Sequence, residues 1–243
     1  MDYRLKGNVV LVTGSSLGIG RATALRFAEE GCHIIVTYYQ DEQEARETSS
    51  LCQRLGAPGA MMLRLDVTDN ASIENVVDTI ADEMGHLDIL VNNAGVIIKK
   101  KIEEHSFEDI EKQLRTNLEG TVKITRACLP HLRQMIINVA SVTAHRGSPN
   151  LGVYAASKGG VIALTHTLVE EIGPRKVYNV YPGATATRMT NFQGDPPEEV
   201  AEVIVRLARG DYDVPNGGDV MVRDPPSPRN YRIVRPIRSG PAR

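Results

Sequence analysis

Tyr154 and Lys158 stand four residues apart in Tyr154-Ala155-Ala156-Ser157-Lys158, just ahead of the apolar run Val161-Ile162-Ala163-Leu164. At that spacing two side chains lie one above the other on a single helical face. An ammonium beside a phenol favours phenolate and draws its pKa down from ~10 toward neutrality, which makes Tyr154 a candidate general acid or base. Ser141 lies thirteen residues earlier, at the carboxyl end of Ile136-Ile137-Asn138-Val139. A hydroxyl there can orient a carbonyl and stabilise charge developing on its oxygen. Tyrosine and lysine on an exposed helix are commonplace, so the pair needs support from elsewhere in the chain.

That support begins with Thr13-Gly14-Ser15-Ser16-Leu17-Gly18-Ile19-Gly20, which follows the apolar run Val9-Val10-Leu11-Val12. A buried strand that ends in glycines and opens into a helix brings backbone N–H groups and the positive helix end to one point, which suits a phosphate. Gly14 suits the tight turn, Gly18 a close approach to pyrophosphate, and Gly20 the packing of helix on strand. Further along, Asp66 follows a third strand, read as Met61-Met62-Leu63-Arg64-Leu65. It serves either as turn and capping chemistry or as an acceptor for an adenine edge. Asn92-Asn93-Ala94-Gly95 ends a fourth strand, Leu87–Val91, with small and amide residues that let backbone lie against a ligand.

These residues need a scaffold, and the hydrophobic pattern supplies one. Helical spacing from Ile19 to Ala28 stops at Gly31, and His33–Tyr38 reads as the second strand, completing a β-α-β unit. Alternation continues to a fifth strand at Ile136–Val139, so the fold expected is α/β, a three-layer doubly wound parallel sheet in a single domain. Ser106-x-x-Asp109 opens a helix in a capping pattern, and Asn117 inside it marks a junction or a functional kink. The bulk numbers agree: 243 residues suit one α/β domain, and a formal net charge of -2 argues against nucleic acid or an anionic membrane as partner. Cys32, Cys52 and Cys128 form no Cys-x-x-Cys and the six histidines no metal-like spacing, so buried thiols, a reducing cytoplasmic setting and no metal are expected.

Taken together and in this order, the glycine turn, Asp66, Asn92-Asn93-Ala94-Gly95, Asn117, Ser141 and Tyr154/Lys158 resemble the short-chain dehydrogenase/reductase family in its single-domain form. The resemblance spans residues 5 to about 210. It implies a Rossmann-like catalytic domain over residues 1–224, while composition marks 225–243 as a basic, proline-rich tail. It also implies hydride transfer between NADP(H) or NAD(H) and a small carbonyl or alcohol, in a homo-oligomer. Tyr154 would move the proton, Ser141 hold the carbonyl oxygen, Lys158 tune the tyrosine and bind the nicotinamide ribose, and Asn117 hold a water that links the lysine to solvent. The cofactor would meet Gly14, Ser16, Leu17, Gly18, Ile19 and Gly20 at the first turn and Thr37 and Tyr38 after the second strand. Asp66 and Val67 would contact adenine, while Asn93, Ala94 and Gly95, then Pro182, Gly183, Thr185 and Thr187, would line the rest.

An acid at the end of the second strand would select NAD; Thr37-Tyr38-Tyr39-Gln40 has none, which leans the expectation toward NADP(H) with Ser16 and Thr37 as partners. No basic residue follows the strand, and Leu17 occupies the turn position where one often stands in NADP-preferring relatives. Several stretches depart from the family pattern. Arg133-Gln134-Met135 reads as a short helix-to-strand connection, and the asparagine expected four residues before Pro182 is displaced to Asn179. Only Arg188 to Pro196 separate Thr187 from the last helix, which predicts an open site; Arg188 is read as a surface arginine or a contact for an anionic substrate. Substrates like those of 3-oxoacyl thioester reductases and of sugar or polyol dehydrogenases both stay open. The competing class is a non-catalytic dinucleotide-binding sensor or scaffold.

Overall fold

Residues 5–223 are described by a computed structural model; Asp224 and the tail 225–243 lie outside the described residues. Seven strands, β1 (Val9–Val12), β2 (His33–Tyr38), β3 (Ala60–Arg64), β4 (Leu87–Asn92), β5 (Leu132–Val139), β6 (Lys176–Tyr181) and β7 (Asp219–Met221), form one sheet in the order β3-β2-β1-β4-β5-β6-β7. Every pairing is parallel. All four β1 residues are buried, as expected of a strand covered on both faces.

The period of two sorts the side chains. Val10 and Val12 enter one apolar cluster with Phe27, Ile204 and Leu207, from α1 (Gly18–Glu29) and α8 (Pro197–Arg209). Val9 and Leu11 enter a second with Ile73, Ile124 and Leu168, from α3 (Asn70–Met84), α5 (Gly120–Cys128) and α7 (Gly152–Glu171). The exposed-face helix α2 (Glu42–Arg54) covers β2 and β3 on the first side. The order of strands switches sides at β1, with β2 and β3 laid to one side and β4 onward to the other, and that switch opens a crevice beyond the carboxyl ends of β1 and β4.

Two local expectations change. Leu132–Val139 is a single eight-residue strand, so Arg133-Gln134-Met135 belongs to β5 and not to a connection: Met135 pairs with Ile89, and Gln134 bonds Asn8 and Asp88. The third strand sits one residue earlier than read, because Arg64 pairs with Tyr38 while the Leu65 N–H reaches the Tyr38 carbonyl. The predicted cap holds: Ser106 and Asp109 bond reciprocally at the start of α4 (Phe107–Leu114). Asn117 lies inside a π turn, Arg115–Glu119, that joins α4 to α5. All three cysteines are buried and free, and burial pushes their thiols up to about 12.

Candidate active site

At the crevice lies a cavity of about 1020 Å³. The carboxyl ends of β1, β4, β5 and β6 all open onto it. Its floor begins at the glycine turn, which buried hydroxyls shape: Gly14 N donates to Thr37 Oγ1 (2.9 Å), Thr37 N to Ser15 Oγ (2.8 Å), and Ser15 Oγ to the Val12 carbonyl (2.8 Å). Helix α1 then starts with Leu17 as an apolar N-cap, with no side-chain cap and no acid in its first turn. Its orphan amides therefore face the cavity with their positive end unneutralised, which fits an anionic diphosphate. From the β4 side Asn93 Nδ2 clamps the carbonyls of Thr13 (2.9 Å) and Gly14 (3.1 Å).

Ser141 ends the connection that follows β5, beside the buried Tyr154 and Lys158 of α7. The Thr143 hydroxyl donates to Ser141 Oγ (2.9 Å), as does the Thr143 N–H (3.3 Å), so the serine's own hydrogen is left to donate elsewhere. Lys158 Nζ donates to the Val139 carbonyl (2.6 Å) and lies 6.0 Å from the centre of the Tyr154 ring. The tyrosine is not lowered as the sequence suggested. Burial raises its pKa, and a hydrogen bond with Ser141 only partly reverses this. The same burial pushes Lys158 down to about 8.

The lysine shift has a consequence for stability. An unfolded chain keeps this proton to about pH 10.4, so between pH 8 and that value the unfolded state binds more protons and folded-state stability rises with pH. The melting temperature of the native chain relative to Lys158→Met should therefore climb from pH 7 to pH 10. A gap that stays constant over that range would place the ammonium in water.

A polar ladder holds α7 against the sheet. Asn92, Asn138, Asn179 and Asp219 sit in register across β4, β5, β6 and β7. Asn92 Nδ2 donates to Asn138 Oδ1 (2.8 Å), Asn138 Nδ2 to Thr165 Oγ1 (2.8 Å), Thr165 Oγ1 to Asn179 Oδ1 (2.7 Å) and Asn179 Nδ2 to Asp219 Oδ1 (3.0 Å). Thr165 lies two turns beyond Lys158 on the buried face of α7. A rotation of the helix would break both of its bonds to the strands. Tyr181 OH also donates to Asp219 (2.7 Å), and its ring lies 4.8 Å from that of His145 in α6 (Thr143–Arg146), the turn after Ser141.

Of the residues expected here, Gly14, Ser16, Leu17, Gly18, Ile19, Asp66, Val67, Asn93, Ala94, Gly95, Ser141, Tyr154, Lys158, Pro182, Gly183, Thr185 and Thr187 line the cavity. Thr37 and Tyr38 do not. The Thr37 hydroxyl is spent on Gly14 N and the Val12 carbonyl, and Tyr38 packs on the core. Gly20 and Asn117 also stay behind the wall. A Cβ on Gly20 would fall 2.2 Å from the Gly14 oxygen, while Asn117 bonds Val96 N (2.7 Å), the Val96 carbonyl (2.9 Å) and Ser157 (3.1 Å). Asp66 Oδ1 accepts from Thr68 N and Oγ1, the turn role, while the residue also lines the cavity. Sequence reading missed Tyr39, Asp41, Thr143 and a wall made by Glu108 and Lys112 of α4 with Arg115 of the π turn. Only Thr143 left a trace, a second hydroxyl two residues after Ser141.

The short segment after Thr187 lines the cavity through Arg188, Met189 and Thr190. It folds back through Ala186 N to the Asp195 carbonyl (2.8 Å) and Asp195 N to the Ala184 carbonyl (2.9 Å), and Arg223 grips Asp195 with two bonds (2.6 and 2.8 Å). Arg188 is exposed but not idle: it bonds Asp41 (2.7 Å) and Glu44 (2.8 Å).

The family model for short chain dehydrogenases matches residues 8–197. The chain belongs to this family. A 3-oxoacyl-acyl-carrier-protein reductase of Thermotoga maritima is 35% identical over 228 residues, covering 84% of this chain and 92% of the relative. The meso-2,3-butanediol dehydrogenase of Serratia marcescens is 30% identical over 240 residues, covering 90% and 94%. The solved structure of a short chain dehydrogenase from Burkholderia cenocepacia, in complex with NADP, superposes with a TM-score of 0.83 at 30% identity and covers 90% of this chain and 97% of that one. As a short-chain dehydrogenase the chain is an NAD(P)-dependent oxidoreductase that transfers a hydride between the cofactor and a carbonyl or alcohol. Among the described residues no helix is long and apolar enough to cross a membrane.

Proposed function

We propose that the chain reduces a small ketone or 3-oxoacyl thioester with NADPH, Tyr154 delivering the proton to the carbonyl oxygen and Ser141 holding that oxygen. One observation carries this: a buried phenol with a raised pKa, bonded to a serine that lines the same cavity. Such a phenol is protonated at neutral pH and is already the acid that carbonyl reduction needs. Bound along the cradle, a nicotinamide cofactor supplies or accepts the hydride. Lys158 keeps a positive charge beside the tyrosine below pH 8 and binds the nicotinamide ribose; Asn117 holds the chain around Val96 and supports the lysine's link to solvent. Ser16, Asn93, Thr185 and Thr187 orient the cofactor.

NADP(H) is favoured over NAD(H) because no acid ends β2, and the Burkholderia relative carries NADP in its solved structure. The similarity to a 3-oxoacyl reductase and to a diol dehydrogenase defines the substrate panel. The catalytic unit runs from residue 1 to 224 and works in the cytoplasm as a homo-oligomer. Exposed Phe107 and Ile102 beside α4 offer a second copy an apolar surface.

Oxidation of NADPH and NADH should be followed over ketones, aldehydes, diol-derived hydroxyketones and 3-oxoacyl thioesters. NADPH-dependent turnover on at least one is expected, level at neutral pH and falling above about pH 8 as Lys158 loses its proton, with the reverse reaction rising with pH. Cofactor binding without turnover on any of them would favour a sensor or scaffold.

A further inference from the structure

An adenosine 2′-phosphate needs a cation near the end of β2, and the chain places none there in sequence: the glycine turn has Leu17 and the strand runs into Tyr38-Tyr39-Gln40. The fold brings one from far away. Arg188, which opens the 3₁₀ turn Arg188–Thr190 after β6, donates from Nη1 to Asp41 (2.7 Å) and from Nη2 to Glu44 (2.8 Å), the residues that lead into and begin α2. In the sheet β2 and β6 are separated by β1, β4 and β5. Four strand spacings make roughly 20 Å, so the segment from Pro182 to Arg188 crosses the crevice instead of running beside it.

The crossing is fixed at both ends. Its near end is anchored by the Asp195 bonds to Ala184, Ala186 and Arg223. Midway, Thr187 lies so close to the phosphate turn that a Cβ on Gly18 would come within 2.9 Å of its methyl group. At its far end the guanidinium stands over the rim made by Tyr39 and Asp41, which line the same cavity. Arg64, paired in register with Tyr38, places its guanidinium 5.7 Å from the Tyr39 ring centre, and Arg21 adds positive field at Glu44. Arg188 thus faces both Asp41 and Glu44, Arg21 adds to it at Glu44, and Arg64 lies against the neighbouring Tyr39 ring. Arg188 commits two of its five N–H donors to the carboxylates, and the rest match phosphate oxygens in a planar fork.

We propose that Arg188 is the cofactor-discriminating residue: it reaches across the crevice to meet the adenosine 2′-phosphate at the β2–α2 turn, held ready there by Asp41 and Glu44. This rests on the reading that the cavity takes a nicotinamide dinucleotide. Calorimetric titration of the full chain with NADPH, NADH, 2′,5′-ADP and 5′-ADP, in native form and as Arg188→Gln and Arg188→Lys, tests it without any substrate. Arg188→Gln should weaken NADPH and 2′,5′-ADP by roughly 10- to 100-fold while NADH and 5′-ADP stay within about threefold, and Arg188→Lys should recover part of the loss. Equal losses for both pairs would make the arginine a strap on the diphosphate, and no loss would make it a surface ion pair; either overturns the proposal. A native chain that prefers NADH would overturn it too, with Asp41 and Glu44 dominating. A native chain that binds none of the four would instead overturn the dinucleotide reading beneath it. Melting curves for both variants verify that binding is compared between folded proteins.

Discussion

Tyr154→Phe is expected to lower kcat about 10³-fold, within the roughly 10²–10⁴ that a positioned acid or base supplies, while the NADPH dissociation constant moves by no more than about twofold. The ring is buried, and phenylalanine fills the same volume, so the fold loses little. What disappears is the hydroxyl that bonds Ser141 and carries the proton. Single-turnover measurement with cofactor and the best substrate of the panel separates the two effects. A variant that kept a tenth or more of native turnover would move the proton transfer to another group, Ser141 or a water.

Gly20→Val is expected to abolish detectable cofactor binding and to cost roughly 3 kcal/mol of stability, at the upper end for an overpacked site. The added Cβ would fall 2.2 Å from the Gly14 oxygen and 2.6 Å from Asn93 Nδ2. Neither neighbour can step aside, because Asn93 holds the Thr13 and Gly14 carbonyls and Gly14 N is tied to Thr37. Gly159→Ala is the matching control. That glycine follows Lys158 in α7, and a Cβ there has nothing within 4 Å. Relief of backbone entropy should stabilise it by about 0.5–1 kcal/mol. Denaturant melts of the two variants, beside NADPH titration, should move in opposite directions; a Gly20→Val chain that still bound NADPH would show that the turn has room to rearrange.

The contrast explains why the glycine turn was readable from the sequence and the rim of the cavity was not. A glycine under a backbone oxygen leaves a residue type in the chain, and so do a buried strand of valines and a Tyr–Lys pair at helical spacing. Thr37 misleads because type alone cannot say which way a hydroxyl points; buried in β2, it bonds the glycine turn instead of facing the cavity. The tyrosine's pKa was misjudged for a related reason. Spacing places the ammonium, but the depth of burial that outweighs it depends on how α7 packs. Arg188 meets Asp41 and Glu44 across nearly 150 positions of sequence, so only the sheet order reveals that contact. The anchors of the short segment after Thr187 are hidden in the same way, because its length shows in the sequence and its hydrogen bonds do not.

The asparagine ladder also sets an order of assembly. The phosphate turn and its Asn93 clamp are complete once residue 95 has been made, but the last rung, Asp219, belongs to the final strand. At ~5–20 residues per second a ribosome delivers that rung several seconds to about half a minute later. Until then Asn179 and Tyr181, the tethers of the tyrosine helix and the serine turn, lack their shared carboxylate, so the alignment of the catalytic groups waits on the last strand to be made.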